Sequence, residues 1–227
     1  MLRGIINSIG AAVTGAGGTG TLYIDKDDDN YGIGENLTFN TNSNDNIALG
    51  ANALNSTGNA AHNNIGIGTD VLTANSTGDN NVAIGKYAGQ GLTTSGDNIL
   101  IGSNTGLAIA AGQVLTDGTV AIGSSALGAL TSGVKNTAIG YQALLTNDTG
   151  GNNTAVGYNA MVNTDADGDT QDSDHNTFIG SHCGGGAWAA GKSEGNTAVG
   201  SSAMIGALDT ANYNVAMGIN ALAGTVS

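Results

Sequence analysis

The sequence predicts an all-β fold, a parallel β-solenoid or β-roll of about eleven short coils, and three observations predict it. A five-residue unit, Asn followed by a small or β-branched residue, Ala, an aliphatic residue and Gly, recurs along the chain. Its final glycines fall at 34, 50, 68, 85, 102, 123, 140, 157, 180, 200 and 218, around a base period of 17. The composition, 39 Gly and no Pro in 227 residues with 4% aromatic, implies a thin core of small side chains. A fixed period of this size is the mark of a stacked repeat architecture. Two helices do not fit into 17 residues, and a helix interior disfavours the Gly and Asn that every copy carries. Collagen needs Gly at every third residue with Pro, and a disordered Gly-rich chain has no period.

The pentapeptide reads as the strand of each coil. Copies include Asn46-Ile-Ala-Leu-Gly50, Asn81-Val-Ala-Ile-Gly85, Asn136-Thr-Ala-Ile-Gly140 and Asn153-Thr-Ala-Val-Gly157. Side chains alternate across a strand, so Val82 and Ile84 share one face while Asn81, Ala83 and Gly85 share the other. The same parity sets Ala138 against Ile139, and Ala155 against Val156. Asn81, Asn136, Asn153 and their equivalents, stacked coil on coil, form a ladder of side-chain amides. Gly85, Gly140 and Gly157 end their strands where the backbone turns sharply.

A second apolar piece follows each Gly, as in Ala53-Leu54, Ala88-Gly89, Ala126-Leu127, Ala143-Leu144 and Ala160-Met161. Between units lie Asn55-Ser-Thr-Gly-Asn59 and Asn75-Ser-Thr-Gly-Asp-Asn80, residues that accept positive φ or bond their own backbone and so make turns. Eleven coils at about 4.8 Å make a rod roughly 50 Å long. So narrow a coil buries modest area in a core of Ala, Val and Ile. The expectation is that the small-residue face packs against copies of itself around an axis, giving an obligate homotrimer.

Asn136-Thr-Ala-Ile-Gly-Tyr-Gln-Ala-Leu144 and Asn153-Thr-Ala-Val-Gly-Tyr-Asn-Ala-Met161, with the rest of the series across residues 30–222, resemble the repeats of bacteriophage tail fibres. They are also similar to the head repeats of YadA-like trimeric autotransporter adhesins. Both resemblances imply a trimeric parallel β-roll. Gly20 to Lys26 and Asn30 to Gly34 look like the strand pair that precedes such arrays in phage fibres, and the 17-residue spacing departs from the shorter one of the adhesins. The implied function is a viral fibre that is structural and binds a host receptor, located in the virion, with other virion proteins and a host cell-surface glycan or protein as partners. The alternatives are a bacterial trimeric surface adhesin, and a spacer or capsid decoration without a receptor. Residues 1–20 lie outside the repeat and read either as an attachment segment or as a leader; residues 21–227 form the fibre domain.

Composition excludes other classes. With 18 acidic residues against 5 basic and a net charge of −13, binding to nucleic acid has almost no cations to work with. No stretch approaches the roughly 20 apolar residues of a membrane span. Asn7 and Ser8 interrupt the apolar N-terminus, so export by a secretory signal is not expected. Two Glu, three His, no Gly-x-Ser-x-Gly and no Gly-Lys-Ser/Thr loop argue against an enzyme.

Three enlarged units, 106–118, 161–175 and 184–195, are where loops for a receptor are expected. Trp188, the only Trp, and Lys192 lie in the last. An exposed indole there would stack on a sugar ring or anchor a protein patch; the competing reading folds Trp188 back over the coil. Asp165, Asp167, Asp169 and Asp172 offer oxygen ligands to Ca2+, against a solvated acidic loop, and the Gly and Glu positions of an EF-hand are not matched. No other cofactor is expected. Cys183 takes the place that Ala53 and Ala88 hold elsewhere and so fills a small slot. Tyr141 and Tyr158, one period apart, are expected to stack in the open. Thr137, Thr154, Thr177 and Thr197 suggest an ice-binding plane, but Ile47, Ile65, Val82 and Ile99 break it in the other coils.

Overall fold

The computed structural model describes residues 11–15, 18–25, 28–39, 42–55, 60–107, 117–164, 173–188, 192–206 and 210–224. Among these there is no helix, and thirteen strands form one sheet in chain order. Strands β1 (Ala11–Gly15), β2 (Gly18–Asp25) and β3 (Asn30–Gly34) make an antiparallel meander. The boundary expected at residues 20 and 21 therefore falls inside β2.

From β3 onward the pairing is parallel. The rungs are β4 (Ile47–Leu49), β5 (Ile65–Ile67), β6 (Val82–Ile84), β7 (Ile99–Ile101) and β8 (Val120–Ile122). They continue as β9 (Thr137–Ile139), β10 (Thr154–Val156), β11 (Thr177–Ile179), β12 (Thr197–Val199) and β13 (Val215–Met217). Each is the centre of one predicted pentapeptide. Equivalent residues pair in every step, even across the enlarged units, where Ile99 faces Val120 and Thr154 faces Thr177. The register of the strands is therefore unchanged by the length of the unit between them.

The glycine that ends each strand has a steric reason. A Cβ on Gly85 would lie 2.5 Å from the Gly102 carbonyl oxygen of the next coil, and φ there is +129°. Beyond it the chain turns through left-handed positions, two and four residues after the Gly, with a third five residues before it. Around Gly140 these are Gln142, Leu144 and Lys135. Leu72 and Leu144 sit at φ +48° and +52°, a conformation that costs a branched residue about 1–2 kcal/mol. Both are fully buried, and burying a Leu is worth about 1.5–3 kcal/mol, so burial wins by a narrow margin.

The parity of the strands is as predicted, but its direction is reversed. Ala48, Ala83, Ala121, Ala138, Ala155 and Ala198 are buried inside their own coil, packed with Leu54, Leu72, Leu127, Leu144, Met161 and Met204 from the second apolar piece. Val82 and Ile84, with their equivalents, point outward and remain half-buried or exposed. The expectation that the small-residue face meets other chains is thus corrected. The opposite wall of so narrow a coil already supplies a Leu or Met, which leaves room at the strand centre for little more than a methyl group.

Two coils invert the sizes. Leu100 and Phe178 occupy the Ala place, and the opposite wall answers with Gly89, from the coil before, and with Gly184. A Cβ on Gly184 would overlap the Phe178 ring, and one on Gly89 would lie 2.8 Å from Leu100 Cδ1. Close packing of the interior is conserved by exchange across the coil.

The amide ladder is present. Asn46, Asn64, Asn81 and Asn98 each donate the backbone N–H and the side-chain Nδ2–H to the Oδ1 of the Asn one coil earlier, at 2.9–3.2 Å. The remaining Nδ2–H reaches the turn of the next coil, as from Asn64 to the Gly78 carbonyl at 2.9 Å and from Asn136 to that of Gly150 at 2.8 Å. At Thr119 the ladder is cut. Its backbone N–H still donates to Asn98 Oδ1 at 3.0 Å, but Thr has no amide, and its buried Oγ1 has no hydrogen-bond partner among the described residues. The ladder resumes from Asn136 through Asn153, Asn176 and Asn196 to Asn214.

Candidate functional site

Two surfaces follow from this architecture, and the first is the outward face of the strands. Its two columns are continuous over eleven rungs. One runs Tyr31, Ile47, Ile65, Val82, Ile99 and Val120, changes to Thr137, Thr154, Thr177 and Thr197, and ends on Val215; the other is aliphatic throughout, from Ile33 and Leu49 to Val199 and Met217. Three residues wide and eleven rungs long, the face measures roughly 10 Å by 50 Å, or about 500 Å2. An apolar patch of that size is at the upper end of what a monomeric protein exposes. The Thr column shares this face but covers only β9 to β12, next to aliphatic neighbours.

Beside it stand Tyr141 and Tyr158, exposed and stacked as predicted with ring centroids 5.5 Å apart and planes at 13°. The His182 ring extends the column, 5.2 Å from Tyr158. Because the Tyr rings stack on each other, they offer edges and hydroxyls to solvent more than faces.

The second surface belongs to the enlarged units. Asp165, Asp167, Asp169 and Asp172 lie outside the described residues. Trp188 is not an exposed platform: it is 2% exposed, its ring 5.5 Å from Phe178 at 55°. The indole packs beside the Phe178 ring, which itself takes up the space over Gly184. Its Nε1–H is buried and has no hydrogen-bond partner among the described residues. The structure therefore gives the fold-back reading and corrects the expectation of an indole stacked on a receptor.

Lys192 is exposed, and its Nζ bridges Asp174 Oδ2 at 3.0 Å and Glu194 Oε2 at 3.1 Å. Tyr213 Oη–H donates to Glu194 Oε1 at 2.9 Å. These groups come from three successive coils. Hydrogen bonds from Tyr213 and then Lys192 hold the Glu194 carboxyl below the ordinary range. Its partners move the other way: Asp174 and then Glu194 raise Lys192, and Glu194 raises Tyr213. The cluster is thus a carboxylate pair with one shared ammonium at neutral pH. His175, Glu194, Gly195 and Tyr213 line a cleft of about 250 Å3.

Cys183 occupies the small buried slot expected of it, and burial pushes its thiol up to about 11, which keeps it protonated and unreactive. Among the described residues no group of three or more His, Cys, Asp or Glu is placed to hold a metal ion. Among them, too, no helix is long and apolar enough to cross a membrane. The cleft escaped the sequence reading because its residues are 18 to 20 positions apart. The signal was there: His175, Gly195 and Tyr213 all lie five residues before a strand-ending Gly, so aligning the units stacks them. Compared with family models, curated proteins and solved structures, the chain matches none.

Proposed function

We propose that this chain is the rod of a viral, bacteriophage-type fibre, a homotrimer that presents surface loops and clefts to a host cell surface without catalysis. The observation that carries the reading is the outward face of the strands, whose aliphatic column runs over eleven rungs and stays half-buried or exposed among the described residues. The resemblance of the repeats to phage fibres and trimeric adhesins supplies the number three. In this assembly the Ile and Val columns, not the Ala column, form the shared seam, and the acidic edges face solvent. A net charge of −13 per chain keeps such a rod soluble. Three equivalent sites at each level raise avidity, since the second and third contacts are made at a high effective concentration.

Mass measurement in native solution tests the assembly. Three chains are expected, and a stable single chain overturns the proposal. Adsorption of the purified protein to a panel of bacterial strains, together with labelled electron micrographs of virions, tests the location and the role. Labelling of a bacterial surface in place of a virion would move the rod to a surface adhesin, and a trimer that adsorbs to no cell would leave it a spacer.

A further inference from the structure

We propose that the cleft over Gly195 is a binding site for a single neutral pyranose ring, so that the receptor contact is a glycan held by Tyr213, Glu194 and His175. The inference rests on the host-binding reading and goes further by naming the site and the ligand class.

The floor of the cleft is a gap in a column. His175, Gly195 and Tyr213 occupy equivalent left-handed positions in three successive coils, with φ +59°, +69° and +60°. The middle one has no side chain. A Cβ there would lie 2.7 Å from Tyr213 Cδ1, so the Tyr213 ring leans over the bare backbone of Gly195. The residue is nevertheless 74% exposed, which leaves ring surface open to a ligand. An aromatic ring with an apolar face and a polar tip suits the C–H face of a sugar, and exposed aromatics are strong anchors in recognition.

The polar groups complete the match. The Glu194 carboxylate, held in place by Tyr213 Oη and Lys192 Nζ, is an acceptor of fixed position for sugar hydroxyls. The His175 imidazole on the other side of the gap can donate or accept. Electrostatics select the class: Glu194, Asp174 and the net charge repel sialic acids and uronic acids, while the one nearby cation, Lys192, is already shared between two carboxylates. The volume selects the size, since about 250 Å3 is below the roughly 300 Å3 at which pockets for drug-sized ligands begin, and one ring fills it.

The test is saturation-transfer NMR on the whole protein with four probes: the methyl glycosides of glucose, galactose and mannose, and N-acetylglucosamine. At least one should bind in the millimolar range, and Tyr213→Ala should weaken it tenfold or more with the melting temperature unchanged. Gly195→Ala, which displaces the Tyr213 ring, should weaken binding likewise, with a lower melting temperature from the left-handed backbone. Binding retained by Tyr213→Ala, or no signal from any of the four probes, overturns the inference. Adsorption of the same proteins to bacterial strains separates the two readings. Adsorption that ignores Tyr213→Ala keeps host binding and removes this site. Tyr213-dependent sugar binding without adsorption keeps the site and removes host binding.

Discussion

The rungs before the break in the amide ladder and those after it differ on only one face. Inside, β4 to β7 and β9 to β12 repeat the same scheme of a buried Asn followed by a strand-centre residue packed against the far wall. Outside, the first column is Ile47, Ile65, Val82 and Ile99 in the earlier group and Thr137, Thr154, Thr177 and Thr197 in the later one. The interior is dictated by the width of the coil, and exchanges there come in compensated pairs. The exterior is free of that constraint, and a change from Ile to Thr at four consecutive rungs means that the two halves of the outward face, the proposed seam, are not chemically alike.

Charging the seam should break this comparison most strongly. Val82→Lys together with Ile84→Lys puts two cations per chain into the fully aliphatic half and is expected to leave single chains in sedimentation experiments. Thr154→Lys in the other half should weaken association without abolishing it, because a hydroxyl column already tolerates polar neighbours. Equal effects from the two variants would show that the halves are equivalent.

Within the core, Phe178→Ala leaves a cavity beside Gly184 and should cost about 3–5 kcal/mol in denaturant unfolding. Gly184→Leu alone overlaps the Phe ring and should cost a similar amount. The double variant restores the Ala–Leu scheme of the other coils and should come within about 1.5 kcal/mol of the parent, the range for volume-conserving exchange. A strictly additive result would remove the account of compensated pairs.

This exchange also shows what the sequence made legible. Period, strand positions, glycine turns and the Asn ladder could all be read from the repeat, because each depends on spacing alone. The direction of the strand faces could not, since alternation fixes which residues share a face and leaves open which face is interior. Phe178 with Gly184, and Leu100 with Gly89 of the preceding coil, held the answer: a large residue at the Ala place met by Gly at the Leu place means that the two places touch. The same pairing would have placed Trp188 inside. The cleft required three coils to be superposed, with Lys192 and Asp174 brought from different units.

The ladder provides a smaller, two-sided comparison. Asn153→Ala strands the backbone N–H and Nδ2–H of Asn176 and the carbonyl of Ser173, and should cost about 3 kcal/mol. Thr119→Asn rejoins the two segments and should stabilise the protein by about 1 kcal/mol, seen as a higher denaturant midpoint. No gain from Thr119→Asn would mean that the break is accommodated by the enlarged unit before it.

The smallest effect concerns pH. Glu194 has a lowered pKa in the folded chain, so its contribution to stability is present above the ordinary carboxylate range and is lost as pH falls through its folded value. Tyr213→Phe removes the largest cause of the lowering, and the Glu194 carboxyl should then titrate at higher pH by NMR. The group is still partly open to solvent, so the melting temperature should barely respond.

Units of 16 to 23 residues all deliver the same rung in the same register. Duplicating or deleting one therefore changes reach by a single step of about 4.8 Å without asking any neighbour to adapt. Over generations such a gene can lengthen or shorten its product in whole notches, like a ruler.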